Sequence, residues 1–123
     1  MKEWIFKVFV ENGVSDFYMW RKRLPPKARL KLRWVIDNME TTADWTQTKY
    51  FRPLSGGIGE IRFFISKRQF RPLGCRGPEE GEFTILIGAE EKDDELKPPG
   101  VIEIAKKRRD LVLEDGRYSD DYV

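Results

Sequence analysis

The chain has 123 residues, of which 40% are hydrophobic and 13% aromatic, enough to bury one real core and too few for a second domain. It holds no histidine and a single cysteine, Cys75, which excludes histidine triads, histidine zinc sites and an intramolecular disulfide framework. A lone thiol, an N-terminus without the layout of a signal peptide and no apolar run near the ~20 residues of a membrane span predict a cytoplasmic protein with no membrane segment.

The formal charge of +2 conceals an asymmetry. Residues 1–76 carry sixteen Lys/Arg against seven Asp/Glu, and residues 77–123 carry seven against fourteen. The densest run is Arg21, Lys22, Arg23, Lys27, Arg29, Lys31 and Arg33, seven cations in thirteen positions with no acid among them. A solvated helix face is the bland alternative, but uncompensated cations repel one another, and a polyanion would offset that cost.

Trp4 to Val10 is apolar and β-prone, and Asn12-Gly13 closes it as a strand. Ser15 can cap a helix over Asp16 to Leu24, with its acid early and its cations late. Pro25-Pro26 ends that helix, and Pro26 can open the next one at its first turn. In the second helix Ala28, Leu32, Val35, Ile36 and Met39 form one apolar stripe, which leaves the basic residues of a helical hairpin facing solvent. Residues 40–57 are polar and turn-rich, pinned by Trp45, Tyr50, Phe51 and Leu54. Ile58 to Ile65 reads as a strand with Ile61, Phe63 and Ile65 on one face and Glu60, Arg62 and Phe64 on the other. A tight turn at Ser66-Lys67 leads into Arg68 to Cys75, and the loop from Gly77 to Gly81 leads into a strand over Glu82 to Ala89. Pro98-Pro99 closes a charged loop, Val101 to Leu113 reads as a helix buried through Val101, Ile104, Ala105 and Val112, and Glu114 to Val123 as a loose acidic tail. The order strand, helix, helix, three strands, helix predicts an α+β fold: an antiparallel sheet packed on a helical hairpin.

That order, with Leu54-Ser55-Gly56-Gly57-Ile58-Gly59-Glu60-Ile61-Arg62-Phe63, Gln69-Phe70-Arg71-Pro72-Leu73 and Glu103-Ile104-Ala105-Lys106-Lys107-Arg108-Arg109-Asp110, resembles the RelE/ParE toxin superfamily, its phage-derived HigB-like branch above all. The resemblance runs from Trp4 to about Leu113, so residues 1–113 would form the toxin domain and 114–123 a flexible tail. It implies the toxin of a type II toxin–antitoxin pair, held inactive by a cognate antitoxin and cleaving mRNA on the ribosome as an endoribonuclease without a cofactor. Relatives that inhibit DNA gyrase without cleaving anything, and a degenerate module keeping the fold alone, are the competing outcomes.

Carried across, Arg62 and Arg71 match the arginines that nuclease members place at the scissile phosphate, and Lys49 and Arg52 fall where auxiliary basic residues lie. The chain departs from the pattern after its last strand, where Ile87-Gly88-Ala89-Glu90-Glu91-Lys92 offers no His or Tyr. Cleavage by an adjacent 2′-OH needs stabilisation of the phosphorane and two proton transfers. Guanidinium suits the first task because its planar fork stays charged and grips two oxygens. Arg62 and Arg71 can present two such forks from neighbouring strands, unless Glu60 or Glu82 pairs with them. Pro72 suggests an edge or bulge, which would put the Arg71 side chain at the surface. Proton transfer is left to Glu90, Glu91, Lys92, Lys49 and Tyr50, with Glu91 and Lys92 favoured. Without histidine, a second cysteine or spaced carboxylates, the reaction is expected to be metal-independent. The acidic run 90–95 reads as a solvated loop, Cys75 as a small buried residue, and Trp20, Trp34 and Trp45 as core, although an exposed Trp45 could stack on RNA.

Overall fold

The computed structural model describes residues 2–123. The fold is of the α+β class. Strand β1 (Ile5–Phe9) leads into helices α1 (Asp16–Lys22) and α2 (Pro26–Glu40). Ser15 caps α1, its Oγ accepting the Tyr18 N–H at 3.2 Å, with Asp16 in the first turn and Arg21 and Lys22 in the last, as the helix dipole favours. Pro26 sits in the first turn of α2, where its missing N–H costs nothing, and the stripe Ala28, Leu32, Val35, Ile36 and Met39 is buried throughout.

The three later strand runs are present, but none is continuous to its expected end. The first splits into β3 (Gly59–Ile61) and β4 (Phe63–Ile65), the second into β5 (Arg68–Phe70) and β6 (Leu73–Arg76), and the third stops short as β7 (Glu82–Ile87), with a separate strand β8 (Glu90–Lys92) beyond Ala89. With β2 (Phe51–Pro53), β9 (Glu95–Lys97) and β10 (Ser119–Asp121), they form two sheets, ordered β10-β1-β7-β6-β3-β2 and β4-β5-β8-β9. The breaks at Arg62, Arg71-Pro72 and Gly88-Ala89 make a common corner where the chain passes from one sheet to the other. Pro72 lacks a ladder donor. The corner's backbone is satisfied by Arg62 N–H to Tyr50 C=O, Arg71 N–H to Ala89 C=O and Ile61 N–H to Pro72 C=O, each at 2.8 Å. Gly88 is needed there because a Cβ would fall 2.1 Å from the Trp20 ring that α1 presses against the corner.

The sheet is mixed rather than antiparallel. β1 pairs in parallel with β7, and every other pair is antiparallel. The path from β1 to β7 runs through both helices, so no hairpin imposes an antiparallel sense. The helical hairpin covers one face of the larger sheet, with Phe6, Val8, Phe17, Leu32, Ile36, Trp45, Phe83 and Ile85 in its core. Helix α3 (Val101–Glu114) covers the other face over Phe9, Ile58, Leu73, Cys75, Leu86 and Ile87. Covered on both sides, β7 is buried from Phe83 to Ile87.

Several expectations need correction. Ile104 lies at the margin of α3 and is 37% exposed, while Val101, Ala105 and Val112 make the contact. The charged stretch after Ala89 is not a loop but the hairpin β8–β9, turned by Asp93 and Asp94 in the left-handed region (φ 53° and 62°), as Ser66 and Lys67 turn β4 into β5 (φ 52° and 70°). The acidic tail is not loose: β10 pairs with β1, Tyr118 stacks on Phe9 and Tyr122 packs against Phe17 and Tyr18. Aromatic anchoring and edge pairing prevail there over the acidic composition. No helix among the described residues is long and apolar enough to cross a membrane.

Candidate nucleic-acid interface

Two concave regions flank α2. The cleft beside β4, about 430 Å³, is lined by Lys31, Lys49, Tyr50, Arg62, Phe63, Phe64, Ile65 and Arg71, four cations with no carboxylate in the lining. The broader groove on the other flank, about 810 Å³, carries Lys2, Arg21, Arg29 and Arg33, but also Asp37 and Glu40.

The corner builds the floor of the cleft. Arg62 and Arg71 leave the two adjacent breaks in the chain and meet at one carboxylate: Glu60 Oε1 lies 3.4 Å from Arg62 Nε and 3.8 Å from Arg71 Nε. Glu91 Oε1 approaches Arg71 Nε from β8 at 3.4 Å. Arg71 also donates to the Phe70 carbonyl at 3.0 Å and to the Gln69 side-chain oxygen. It is 4% exposed, which overturns the surface placement inferred from Pro72, and its Nε is buried without a hydrogen-bond partner. Proline does mark a break, but the break turns the chain inward between two sheets. The two arginines do come together; only Arg62, its side chain 34% exposed, offers a substantial solvent-facing surface.

Glu60 is more than a pairing alternative for the two arginines. It is 4% exposed. Burial raises its pKa, and the nearby guanidiniums of Arg71, Arg62 and Arg52 only partly oppose that. Arg52, exposed on β2, stands opposite Glu60 in the strand register. The signal was legible in the alternation that puts Glu60 and Arg62 on one face of a strand.

The walls are cationic and aromatic. Lys31 Nζ lies 4.3 Å from the Trp34 ring centroid and 5.6 Å from that of Tyr50, and Lys49 Nζ lies 5.4 Å from Tyr50. Trp34 and Tyr50 meet edge to face at 5.7 Å. Phe64, 70% exposed, stands at the mouth, and Trp34 is 47% exposed. Trp45, the candidate for stacking on RNA, is 1% exposed and packed edge-on against Phe51 and Phe83, so Trp34 and Phe64, with the half-buried Tyr50, are the aromatics within reach of a ligand.

The other proposed residues scatter. Glu91 holds Arg71 from behind the cleft. Lys92 is exposed, and alternation along β8 puts it on the face of Glu90, which accepts two hydrogen bonds from Arg68 at 2.8 and 2.9 Å. It therefore does not join Glu91 in a proton-transfer pair at the arginines. Nor does the basic hairpin form one patch, because its helices turn successive cations to different sides. Arg21 donates to the Val123 carbonyl at 2.7 Å and covers the Tyr18 ring, while Arg29 caps α1 through the Lys22 and Leu24 carbonyls at 3.1 and 2.9 Å. Arg33 lies 4.0 Å from Asp37, one turn on. Lys22 and Arg23 are exposed at the end of α1, and Lys27 faces a small apolar hollow with Pro25, Ile65 and Phe70. Of the seven, only Lys31 reaches the cleft.

Cys75 is 2% exposed, and burial pushes its thiol up to about 12, which removes it as a nucleophile. Among the described residues no group of three or more His, Cys, Asp or Glu is arranged to hold a metal ion. No protein-family model, curated protein or solved structure matches the chain.

Proposed function

We propose that the protein is the cytoplasmic toxin of a type II toxin–antitoxin pair, a RelE/HigB-like endoribonuclease that cleaves mRNA on the ribosome without a metal. The observation that carries this reading is the cleft: Lys31, Lys49 and Arg62 lining it, with exposed aromatics at its mouth, suit a single-stranded phosphodiester chain, phosphates to the cations and bases to the rings. The order strand, helix, helix, strand meander, helix supports the RelE-like assignment.

In the reaction the ribose 2′-oxygen bonds to phosphorus while the bond to the 5′-oxygen breaks, leaving a cyclic phosphate and a 5′-hydroxyl. Arg62, the exposed guanidinium, binds the non-bridging oxygens on which charge accumulates. Lys31 and Lys49 hold flanking phosphates, and the phenol of Tyr50, whose ring lies near both lysines, supplies the proton to the leaving oxygen. The 2′-hydroxyl proton passes to water. Arg71 acts as a positioning residue through Glu60 and Gln69.

The test is induced expression in growing cells with primer extension across transcripts, for the wild type and for Arg62→Ala and Tyr50→Phe. The expected result is cleavage within codons by the wild type, with growth restored by either substitution. Growth arrest with no cleavage would overturn the nuclease in favour of a ParE-type inhibitor, and no effect on growth would leave an interaction module.

A further inference from the structure

Glu60 is placed oddly for a site that binds anions. A nearly buried carboxylate sits directly behind Arg62, 3.4 Å from its Nε, where it occupies the charge that an incoming phosphate needs. The groups facing it are Arg52 from β2, Arg62 from the β3–β4 break, Arg71 from the β5–β6 junction and Glu91 from β8. Arg71 is itself shared, since Glu91 lies closer to its Nε than Glu60 does. Arg62 is thus the partner of Glu60 that is both close and open to the cleft.

We propose that Glu60 is a resident competitor for Arg62, so that a phosphodiester anion binding in the cleft displaces the carboxylate from the guanidinium and Glu60 takes up a proton. This rests on the cleft being an anion site, though not on its cleaving anything. A carboxylate left behind in a buried position, with a second anion now on Arg62 and Glu91 on its far side, is stabilised by protonation. Burial already raises its proton affinity, which favours the same direction. The neutral acid can then remain beside Arg71 without opposing the bound phosphate. The site would bind RNA more tightly as pH falls, with Glu60 setting the range over which it does so.

The ligand for the test is a short single-stranded oligodeoxyribonucleotide. It lacks the 2′-hydroxyl needed for cleavage, and its phosphodiesters keep one charge each throughout the working range. Titration calorimetry in buffers of different ionisation enthalpy reads proton uptake directly on the wild-type protein, with no substitution required. The expected result is uptake approaching one proton and, above the pKa of free Glu60, affinity rising toward about tenfold per pH unit lost. Glu60→Gln should remove both the uptake and the pH dependence. Binding by the wild type without proton uptake, or uptake that survives in Glu60→Gln, would overturn this inference alone. Failure of the wild type to bind would overturn it together with the anion reading of the cleft.

Discussion

The two flanks of α2 carry similar numbers of cations and differ in what those cations already hold. In the broad groove Arg21, Arg29 and Arg33 face acceptors supplied by the chain itself: the Val123 carbonyl, the end of α1 and Asp37. In the cleft Lys31 and Lys49 lie over aromatic rings, and Arg62 shares one buried carboxylate with Arg71. A cation over a ring can exchange that contact for a phosphate at small cost, whereas one that caps a helix loses a structural bond if it does so. The density of basic residues therefore marks the groove flank and the cleft alike, but availability marks the cleft.

The largest effect is expected at the floor. Arg71→Ala leaves the buried Glu60 without its buried guanidinium and beside the partly exposed Glu91, and breaking a buried pair in this way costs about 3–5 kcal/mol. Because the pKa of Glu60 is raised in the folded protein, its neutral form favours folding below that pKa and the benefit is lost as pH rises through it. The Arg71→Ala deficit should therefore be largest above the Glu60 pKa and shrink below it, as urea unfolding at several pH values would reveal. A small and pH-independent loss would mean that Arg71 is not the counter-ion of the floor.

Lys31→Gln and Arg29→Gln sharpen the contrast between the flanks. Losing Lys31 should weaken binding of single-stranded RNA and reduce the slope of log affinity against log salt by about 0.7, one phosphate's share, with the melting temperature nearly unchanged. Losing Arg29 should leave the slope alone and cost about 1 kcal/mol of stability through the uncapped end of α1. Filter binding over a salt series, paired with thermal melts, separates the two. The reverse pattern would exchange the roles assigned to the flanks.

The smallest effect is expected at the rear of the smaller sheet, where Arg68 holds the Glu90 carboxyl below its usual range through side-chain hydrogen bonding. A depressed carboxylate stabilises above the unfolded pKa, and that benefit disappears as pH falls through the folded value. Arg68→Ala should cost about 0.5 kcal/mol at neutral pH, discounted for exposure, and nothing in strong acid, with RNA binding unaffected. A loss of binding would place this pair in the interface.

The local elements were readable wherever one residue dictated one conformation. Ser15, Pro26, the stripe from Ala28 to Met39 and the turn at Ser66-Lys67 were legible because caps, ring-locked prolines and helical periodicity act within a turn or two of chain. That Arg62 and Arg71 lie close together could be expected from their places on neighbouring strands. The depth of Arg71 could not, because it depends on three strand runs breaking at one level, and Gly88 breaks where Trp20 of α1 arrives from far along the chain. The tail misled for the same reason: its acidic composition is local, whereas the edge of β1 and the rings of Phe9, Phe17 and Tyr18 that hold it are not. The split of the basic run between the flanks of α2 likewise follows from what packs on each side. Sequence alone determined which residues carry charge and which face of each helix is apolar, since these follow from side-chain chemistry and short-range backbone geometry. Only the tertiary structure decided which charges are free to meet a ligand, because a cation's availability depends on the acceptors that distant segments bring to it.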